Sequence, residues 1–257
     1  MFTPIGFFAP SAAGFDPTLG GTLSVAYHWD FTDSSTMTLT GTDVTDITDK
    51  VSSYTLTSYG TNDPVLGDGF VTFGNGLATS IRSGVNSLPS GMFSNNTFTI
   101  TVYHHMTTGN AQGLFTLQSN ETNGWRGPTY GGYRDSMPGT WDPQLCDNHG
   151  TGTNVMFRYF GTSNKSKYSS LTNVQAQTKG LMGFGYDTTD GYLMYDNGTE
   201  ETYCSRAFVN STSTGDGFAV SVDTANTVNY YHIVVHDQLL NSTQMNDLYD
   251  AFIATQS

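Results

Sequence analysis

Residues 180–198, GLMGFGYDTTDGYLMYDNG, hold the clearest strand signal in the chain. Residues 180–186 and 192–195 are two short segments rich in apolar and aromatic side chains, and turn-forming residues follow each of them. The second segment runs into Asp196-Asn197-Gly198, and Asn-Gly favours the tight turn of a β-hairpin. The stretch therefore predicts two strands that pair in an antiparallel sheet.

The same rhythm continues on both sides of this hairpin. Residues 97–106 alternate, so that Phe98, Ile100 and Val102 share one face of a strand. Comparable segments, each bounded by turn residues, lie at 23–31, 54–57, 70–73, 113–118, 155–160, 202–208, 217–222 and 228–235. Many short strands at short intervals predict an all-β fold, a two-sheet antiparallel jelly-roll β-sandwich.

One short helix is predicted near the C-terminus. The small polar residues 241–244 supply an N-cap. Met245, Leu248, Tyr249 and Phe252 then follow helical spacing on one face. That apolar face is expected to dock the helix on the sandwich.

Charge and composition exclude some classes of protein. The chain of 257 residues has 9 basic and 22 acidic side chains and a net charge of −13. Such a surface repels phosphate backbones, so nucleic-acid binding is not expected. No apolar run approaches the roughly 18 residues of a membrane-spanning helix, so membrane insertion is not expected. The two cysteines, Cys146 and Cys204, could pair once or stay unpaired.

The chain divides into an extended N-terminal arm at 1–21 and a β-sandwich domain at 22–257. Three prolines in the arm favour extended backbone. The arm could anchor the protein to a partner or pack along its own sandwich. A signal peptide is not expected, because no Lys or Arg precedes the apolar part and prolines interrupt it. The apolar residues of the arm are Phe2, Ile5, Phe7, Phe8 and Phe15.

A long loop at 119–153 breaks the rhythm of the strands. Long loops in compact domains tend to be functional or disordered, and the aromatic residues of this one indicate an ordered loop. Its aromatic and hydrogen-bonding side chains suit a sugar, whose ring face stacks on an aromatic ring, or a protein partner. A lid over the sheet is a third interpretation. The candidate binding residues are Trp125, Arg126, Tyr130, Tyr133, Arg134, Trp141, Asp142, Asn148 and His149.

The order of elements resembles the concanavalin A-like lectin/glucanase superfamily, in its laminin-G-like branch. Three segments carry the resemblance. They are the opening strand AYHWDF at 26–31 with the stretch that ends in Ile47-Thr48-Asp49-Lys50, the hairpin at 183–198, and the closing strand and helix from Tyr231 to Tyr249. The resemblance implies a β-sandwich, and such domains recur in structural proteins of tailed phages. Fold alone does not give function.

The resemblance does not extend to the catalytic motif of the glucanases. Those enzymes use two closely spaced Glu residues in an E-x-D-x-x-E strand, and a retaining enzyme needs the two carboxyl groups about 5 Å apart. This chain has only Glu121, Glu200 and Glu201, and the last two are adjacent, so in a strand they face opposite ways. We therefore expect no enzymatic activity, with a divergent polysaccharide hydrolase as an alternative.

The hairpin region at 187–197 is a candidate calcium site. Relatives often hold Ca²⁺ at the sandwich rim, and the hairpin region offers oxygen donors. Turn formation is the alternative, because Asp and Asn favour turns in any case. No cofactor is expected to be required, and the candidate calcium ligands are Asp187, Asp190, Asp196 and Asn197.

The histidines offer no chelating pair by spacing. His104 and His105 are neighbours in a predicted strand and face opposite ways. His232 and His236 share a face but are roughly 13 Å apart. Ordinary strand or core positions are predicted for these residues.

Together these observations predict a non-enzymatic virion structural protein of a tailed phage, a capsid decoration or tail-associated subunit. Its partners would be other virion proteins and, in an adhesion role, host-surface glycans. Its location would be a virion assembled in the host cytoplasm. The alternative is a free, extracellular carbohydrate-binding module of lectin type. Sheet edges need protection, so a homo-oligomer or a lattice contact is expected.

Overall fold

The computed structural model shows a mostly β protein. It describes residues 14–58, 62–74, 79–82, 97–108, 112–118, 144–147, 154–159, 165–172, 180–187, 191–195, 200–204, 217–222 and 227–256. These residues form seventeen strands, one α-helix and a short 3₁₀ turn at Ser34–Thr36.

The strands in chain order are β1 (Val25–Asp30), β2 (Met37–Thr40), β3 (Asp43–Thr48), β4 (Thr55–Ser58), β5 (Val65–Leu66), β6 (Val71–Gly74), β7 (Thr79–Arg82), β8 (Phe98–Thr108), β9 (Gln112–Gln118), β10 (Gln144–Asp147), β11 (Asn154–Tyr159), β12 (Lys165–Thr172), β13 (Gly180–Tyr186), β14 (Gly191–Tyr195), β15 (Glu200–Cys204), β16 (Gly217–Val222) and β17 (Thr227–His236). The helix α1 spans Ser242–Ala254.

All of these strands pair antiparallel in one connected, curled sheet. One row runs β1-β17-β8-β13-β14-β15. A second row runs β2-β3-β4-β7-β16-β9-β10-β11-β12. The short strands β5 and β6 join the rows, because β6 pairs with β17 and β5 pairs with β3. The all-β class with one C-terminal helix is confirmed, and the division into two jelly-roll sheets stays a prediction.

The strand β17 lies at the centre of this arrangement. It pairs with β1, β8 and β6, and its residues from Tyr230 to His236 are all buried. A strand covered on both faces reads as a nearly continuous apolar run, and the sequence YYHIVV fits that pattern. The four histidines predicted at strand or core positions lie in β8 and β17; His104, His232 and His236 are buried, and His105 is partly buried.

The helix α1 begins at a complete capping box. Oδ1 of Asn241 accepts a hydrogen bond from the Gln244 amide, and the Asn241 amide donates to Oε1 of Gln244. Met245, Leu248 and Phe252 are buried, which confirms the predicted apolar face. Within the residues described, no helix has both the length and the apolar character needed to cross a membrane.

The end of the predicted arm is compact where the structure describes it. Residues 17–22 form turns, and Leu19 and Gly20 have positive φ angles of 50° and 70°. The Asp16 carboxylate accepts hydrogen bonds from the amides of Thr18 and Gly20. This turn places Phe15 in the core beside α1. The other apolar residues of the arm, Phe2, Ile5, Phe7 and Phe8, lie outside the described residues.

Candidate functional site

A buried polar cluster lies where β1 pairs with β17. His28 and Asp30 are two residues apart in β1, so they lie on the same face of the strand. Asp30 is directly opposite His232, and His28 is opposite Val234. The antiparallel register therefore brings two histidines and one aspartate onto one face of the sheet.

A β-bulge in β17 adjoins the cluster. Tyr230 pairs with His104 of β8, but the next paired residue is His232, opposite Tyr103. Tyr231 is therefore the extra residue of the bulge. Bulges re-aim side chains and are common beside functional sites. Here the bulge brings the His232 ring next to Tyr103, with 5.8 Å between ring centroids.

The His232 side chain contacts both of the other side chains of the cluster. Nε2 of His28 lies 3.2 Å from Nδ1 of His232, and that Nδ1 lies 3.2 Å from Oδ1 of Asp30. The three potential ligand atoms all lie within 4.8 Å of one another. His28, Asp30 and His232 are 5%, 6% and 2% exposed, so the cluster is shielded from bulk solvent.

Both oxygens of the Asp30 carboxylate accept hydrogen bonds. The Thr32 amide and hydroxyl donate to Oδ1 at 3.0 and 2.6 Å. Nζ of Lys50 donates to Oδ2 at 3.0 Å and to the Asp33 carboxylate at the same distance. Lys50 therefore joins the buried Asp30 to the more exposed Asp33, and the Asp30 carboxylate has a fixed orientation.

Burial and charge set the protonation of the cluster. Burial and, to a lesser extent, the neighbouring His232 lower the pKa of His28 to about 4, although Asp30 opposes the shift. Burial also lowers the pKa of His232, although Asp30 opposes that shift. Burial alone would raise the pKa of Asp30, but hydrogen bonds from His232, Thr32 and Lys50 hold it well below its usual range. At neutral pH the cluster consists of one carboxylate and two neutral imidazoles.

Aromatic rings cover the cluster on the side of α1. The Phe15 ring lies 4.6 Å from that of His232 and 6.2 Å from that of His28, between centroids. Tyr103 and Phe252 pack edge-on against His232. The turn at 17–22 thus places Phe15 over both histidines, which removes water from their rings.

A second buried carboxylate organises the segment that follows β3. Asp49 is 2% exposed and accepts hydrogen bonds from the amides of His28, Val51, Ser52 and Tyr54 and from the Ser52 hydroxyl. The bond from the His28 amide ties this turn to β1. Asp49 and Lys50 are the last residues of a segment that carries the family resemblance. Asp49 binds the amide of His28, and Lys50 binds the carboxylate of Asp30.

The donor set of the cluster allows two chemical roles. Two imidazole nitrogens and one carboxylate oxygen together suit a divalent transition metal ion. Without an ion, the same groups form a hydrogen-bonded link between β1 and β17. Nδ1 of His232 is the central atom of this link, because it lies within hydrogen-bond distance of both His28 and Asp30. Spacing along the chain does not reveal the cluster, because it groups His232 with His236 in the same strand and not with the residues of β1. The available signal was the alternation of His28 and Asp30 in the opening strand.

The predicted binding loop lies largely outside the described residues. Within 119–153, the structure describes only Gln144–Asp147, which form β10 between β9 and β11. The nine candidate residues all lie outside the described part, and their role stays a prediction. They are Trp125, Arg126, Tyr130, Tyr133, Arg134, Trp141, Asp142, Asn148 and His149.

The calcium and disulfide predictions are also untested. Asp187 directly follows β13 and is half-buried, while the other three candidate ligands, Asp190, Asp196 and Asn197, lie outside the described residues. Cys146 lies in β10 and Cys204 in β15. Calcium binding and turn formation stay alternatives for the hairpin residues, and the paired and unpaired states stay alternatives for the two cysteines.

Comparisons with known proteins find similar structures but no similar sequences. No protein-family model and no curated protein matches the chain. Domain 4 of AbnA, a GH43 extracellular arabinanase from Geobacillus stearothermophilus, was solved in complex with arabinotriose. It is similar over 88% of this chain and 98% of that chain, with a TM-score of 0.59 and 12% identity.

Two further solved structures are similar over part of their length. The Trypanosoma rangeli sialidase in complex with sialic acid has a TM-score of 0.56 and 12% identity, and the match covers 88% of this chain and 32% of that chain. The receptor binding domain of botulinum neurotoxin type G has a TM-score of 0.52 and 11% identity, with 88% and 51% covered. At such low identity the similarity shows a shared fold and nothing further about activity.

Proposed function

We propose that this protein is a non-enzymatic carbohydrate-binding module with a concanavalin-like β-sandwich fold. The observation that carries the proposal is the match to domain 4 of AbnA, which extends over 98% of that chain. That domain was solved with arabinotriose, a short sugar. The match therefore relates this chain to a whole sugar-bound domain and not to a fragment of one.

The binding surface is assigned to the aromatic loop at 119–153. Trp125 and Trp141 offer flat apolar faces for sugar rings, and Arg126, Asp142 and Asn148 offer hydrogen-bonding groups for hydroxyls. Protein–sugar recognition needs both kinds of group in one place. No other segment of the sequence combines two tryptophans with so many polar groups.

The non-enzymatic part of the proposal rests on the carboxylates. Glycosidases need two carboxyl groups that flank the scissile bond, about 5 Å apart for retention and ~6.5–9.5 Å apart for inversion. The chain has three Glu, and none shows the spacing of the glucanase motif. Incubation with polysaccharides should release no reducing ends above that of a buffer control.

Glycan binding is tested with a glycan array followed by calorimetry on any hit. The wild type should bind at least one oligosaccharide, and Trp125→Ala and Trp141→Ala should each weaken that binding at least tenfold. Val51→Ala, at a site 54% exposed and outside the loop, is the matched control and should bind as the wild type does. Absence of binding by the wild type, or full binding by both loop variants, would refute this assignment.

The same measurement tests the calcium alternative. It is repeated after treatment with EDTA and after addition of Ca²⁺. Unchanged affinity would assign the oxygen donors of the hairpin region to turn formation. Loss on chelation and recovery with Ca²⁺ would assign them to a calcium site that supports sugar binding.

A second proposal places the module on a phage virion. The observation that favours it is the apolar arm that precedes Phe15, together with the resemblance to phage structural domains. Phe15 itself packs in the core, so anchoring is assigned to residues 1–13. Deletion of residues 1–13 should prevent incorporation into particles without altering the thermal midpoint. Normal incorporation of the deleted form would exclude the anchoring role.

A further inference from the structure

We propose that His28, Asp30 and His232 form a binding site for one divalent transition metal ion of the Zn²⁺ class. The site would join β1 to β17, which are paired across a sequence separation of about 200 residues. It is independent of the sugar-binding proposal, because it lies under α1 and Phe15 and not in the loop.

The distances suit such an ion. Zn²⁺ binds imidazole nitrogen and carboxylate oxygen at about 2.0–2.2 Å, so two ligands on one tetrahedral ion are ~3.4 Å apart. The pair His28 Nε2 and His232 Nδ1, and the pair His232 Nδ1 and Asp30 Oδ1, are each 3.2 Å apart. The remaining pair, one nitrogen of His28 and one oxygen of Asp30, lies within 4.8 Å.

The residue types suit such an ion. Divalent transition metals bind imidazole nitrogens and carboxylate oxygens, and the cluster offers two groups of the first kind and one of the second.

The charge around the site is also suitable. The carboxylates of Asp30 and Asp33 share the one ammonium group of Lys50, and the Asp49 carboxylate accepts a hydrogen bond from the amide of His28. This arrangement has an excess of negative charge that a divalent cation would balance. Lys50 contacts Oδ2 of Asp30, which leaves Oδ1 as the oxygen directed at His232.

Neighbouring groups fix the orientation of the carboxylate ligand. Thr32 and Lys50 hold Asp30, as the outer partners of metal ligands commonly do. Phe15 lies over the two imidazoles and restricts access. Three protein ligands leave a fourth position for water, and the burial of all three ligands favours a structural role for the ion.

The test begins with the wild-type chain, stripped with a chelator and dialysed. Zn²⁺ is added and measured by calorimetry and elemental analysis, and X-ray absorption identifies the ligands. We expect about one tightly bound ion per chain, with two imidazoles and oxygen ligands. The thermal midpoint should rise with Zn²⁺. Less than ~0.1 ion per chain, or sulfur in the ligand sphere, would overturn the proposal.

Variants then locate the site. His28→Gln should weaken Zn²⁺ binding at least ~100-fold, while His236→Gln, which removes a buried histidine of β17 outside the cluster, should retain it. Cys146→Ser with Cys204→Ser should also retain it. Equal affinity in His28→Gln and the wild type would refute the assignment and leave the hydrogen-bonded triad. The absorption measurement on the wild type decides the matter even if His28→Gln does not fold.

Discussion

Replacement of Asp49 by Ala is expected to cause a large loss of stability for a single side chain. Its carboxylate accepts hydrogen bonds from four amides and one hydroxyl. The amides of Val51 and Ser52 lie in the turn itself, where water can replace the lost acceptor. The amides of His28 and Tyr54 lie deeper, and each would be left without that acceptor.

The magnitude follows from those two amides. A buried donor left without an acceptor costs about 1–3 kcal/mol. Two such donors give a loss of about 4 kcal/mol in the free energy of unfolding, which is a large part of the 5–15 kcal/mol of a typical domain. Asp49→Asn keeps one acceptor oxygen, so we expect an intermediate loss.

Urea unfolding followed by circular dichroism measures this loss. Asp46→Ala is the matched control, because Asp46 is only partly buried and accepts from the hydroxyls of Thr45 and Thr57. Its removal should cost less than about 1 kcal/mol. Equal losses for the Asp46 and Asp49 variants, at unchanged denaturant slope, would show that the turn amides are satisfied without Asp49.

Three further predictions concern the core and the helix. Burial lowers the pKa of His236 to about 4. In the unfolded chain the pKa of this side chain is near 6.5, so the unfolded state binds a proton at a higher pH than the folded state does. The free energy of unfolding should therefore fall by ~3 kcal/mol between pH 6.5 and pH 4. Urea titrations at several pH values should show a shallower loss in His236→Gln. Gly183→Ala would place a Cβ against the Ile100 carbonyl and should cost at least ~1–3 kcal/mol by thermal unfolding; an unchanged midpoint would contradict the close approach of β8 and β13. Asn241→Ala removes the acceptor for the Gln244 amide and should cost ~1 kcal/mol, and an unaltered midpoint would show that the cap is not needed.

Sequence predicted those parts of the fold in which a local pattern is strong. Gly180–Tyr186 has the predicted bounds, and the segment at 228–235 lies within β17. The helix was predicted from its cap because Asn241 and Gln244 act within one turn. Local interactions of this kind can be recognised without knowledge of distant neighbours.

Sequence missed the strands β2, β3, β5, β7, β10 and β12, and the first three of them show that weak local patterns are the reason. Met37–Thr40 and Asp43–Thr48 are rich in Thr and Asp, and most of their residues are partly or fully exposed. Val65–Leu66 has only two residues. Such strands are stabilised by pairing with neighbours and not by their own apolar content, so composition alone did not reveal them.

The buried cluster could not be predicted because its register is non-local. The alternation of His28 and Asp30 was visible, but their partner His232 comes from β17. A shift of one residue in that pairing would place His232 on the opposite face. The bulge at Tyr231 also changes which side chains of β17 lie on each face of the sheet. Even a correct prediction of both strands would therefore not have predicted the contact between His28 and His232.

The central place of β17 has a consequence for how the chain reaches its native state. The strand pairs with β1, β6 and β8, yet it is the last of the described strands to leave the ribosome. The three strands β1, β6 and β8 must therefore wait, each with an edge uncovered, until residues 227–236 are synthesised. Pairings between distant segments slow folding, and uncovered edges favour aggregation during that interval. Chaperones that cover these edges during synthesis should therefore raise the yield of soluble protein.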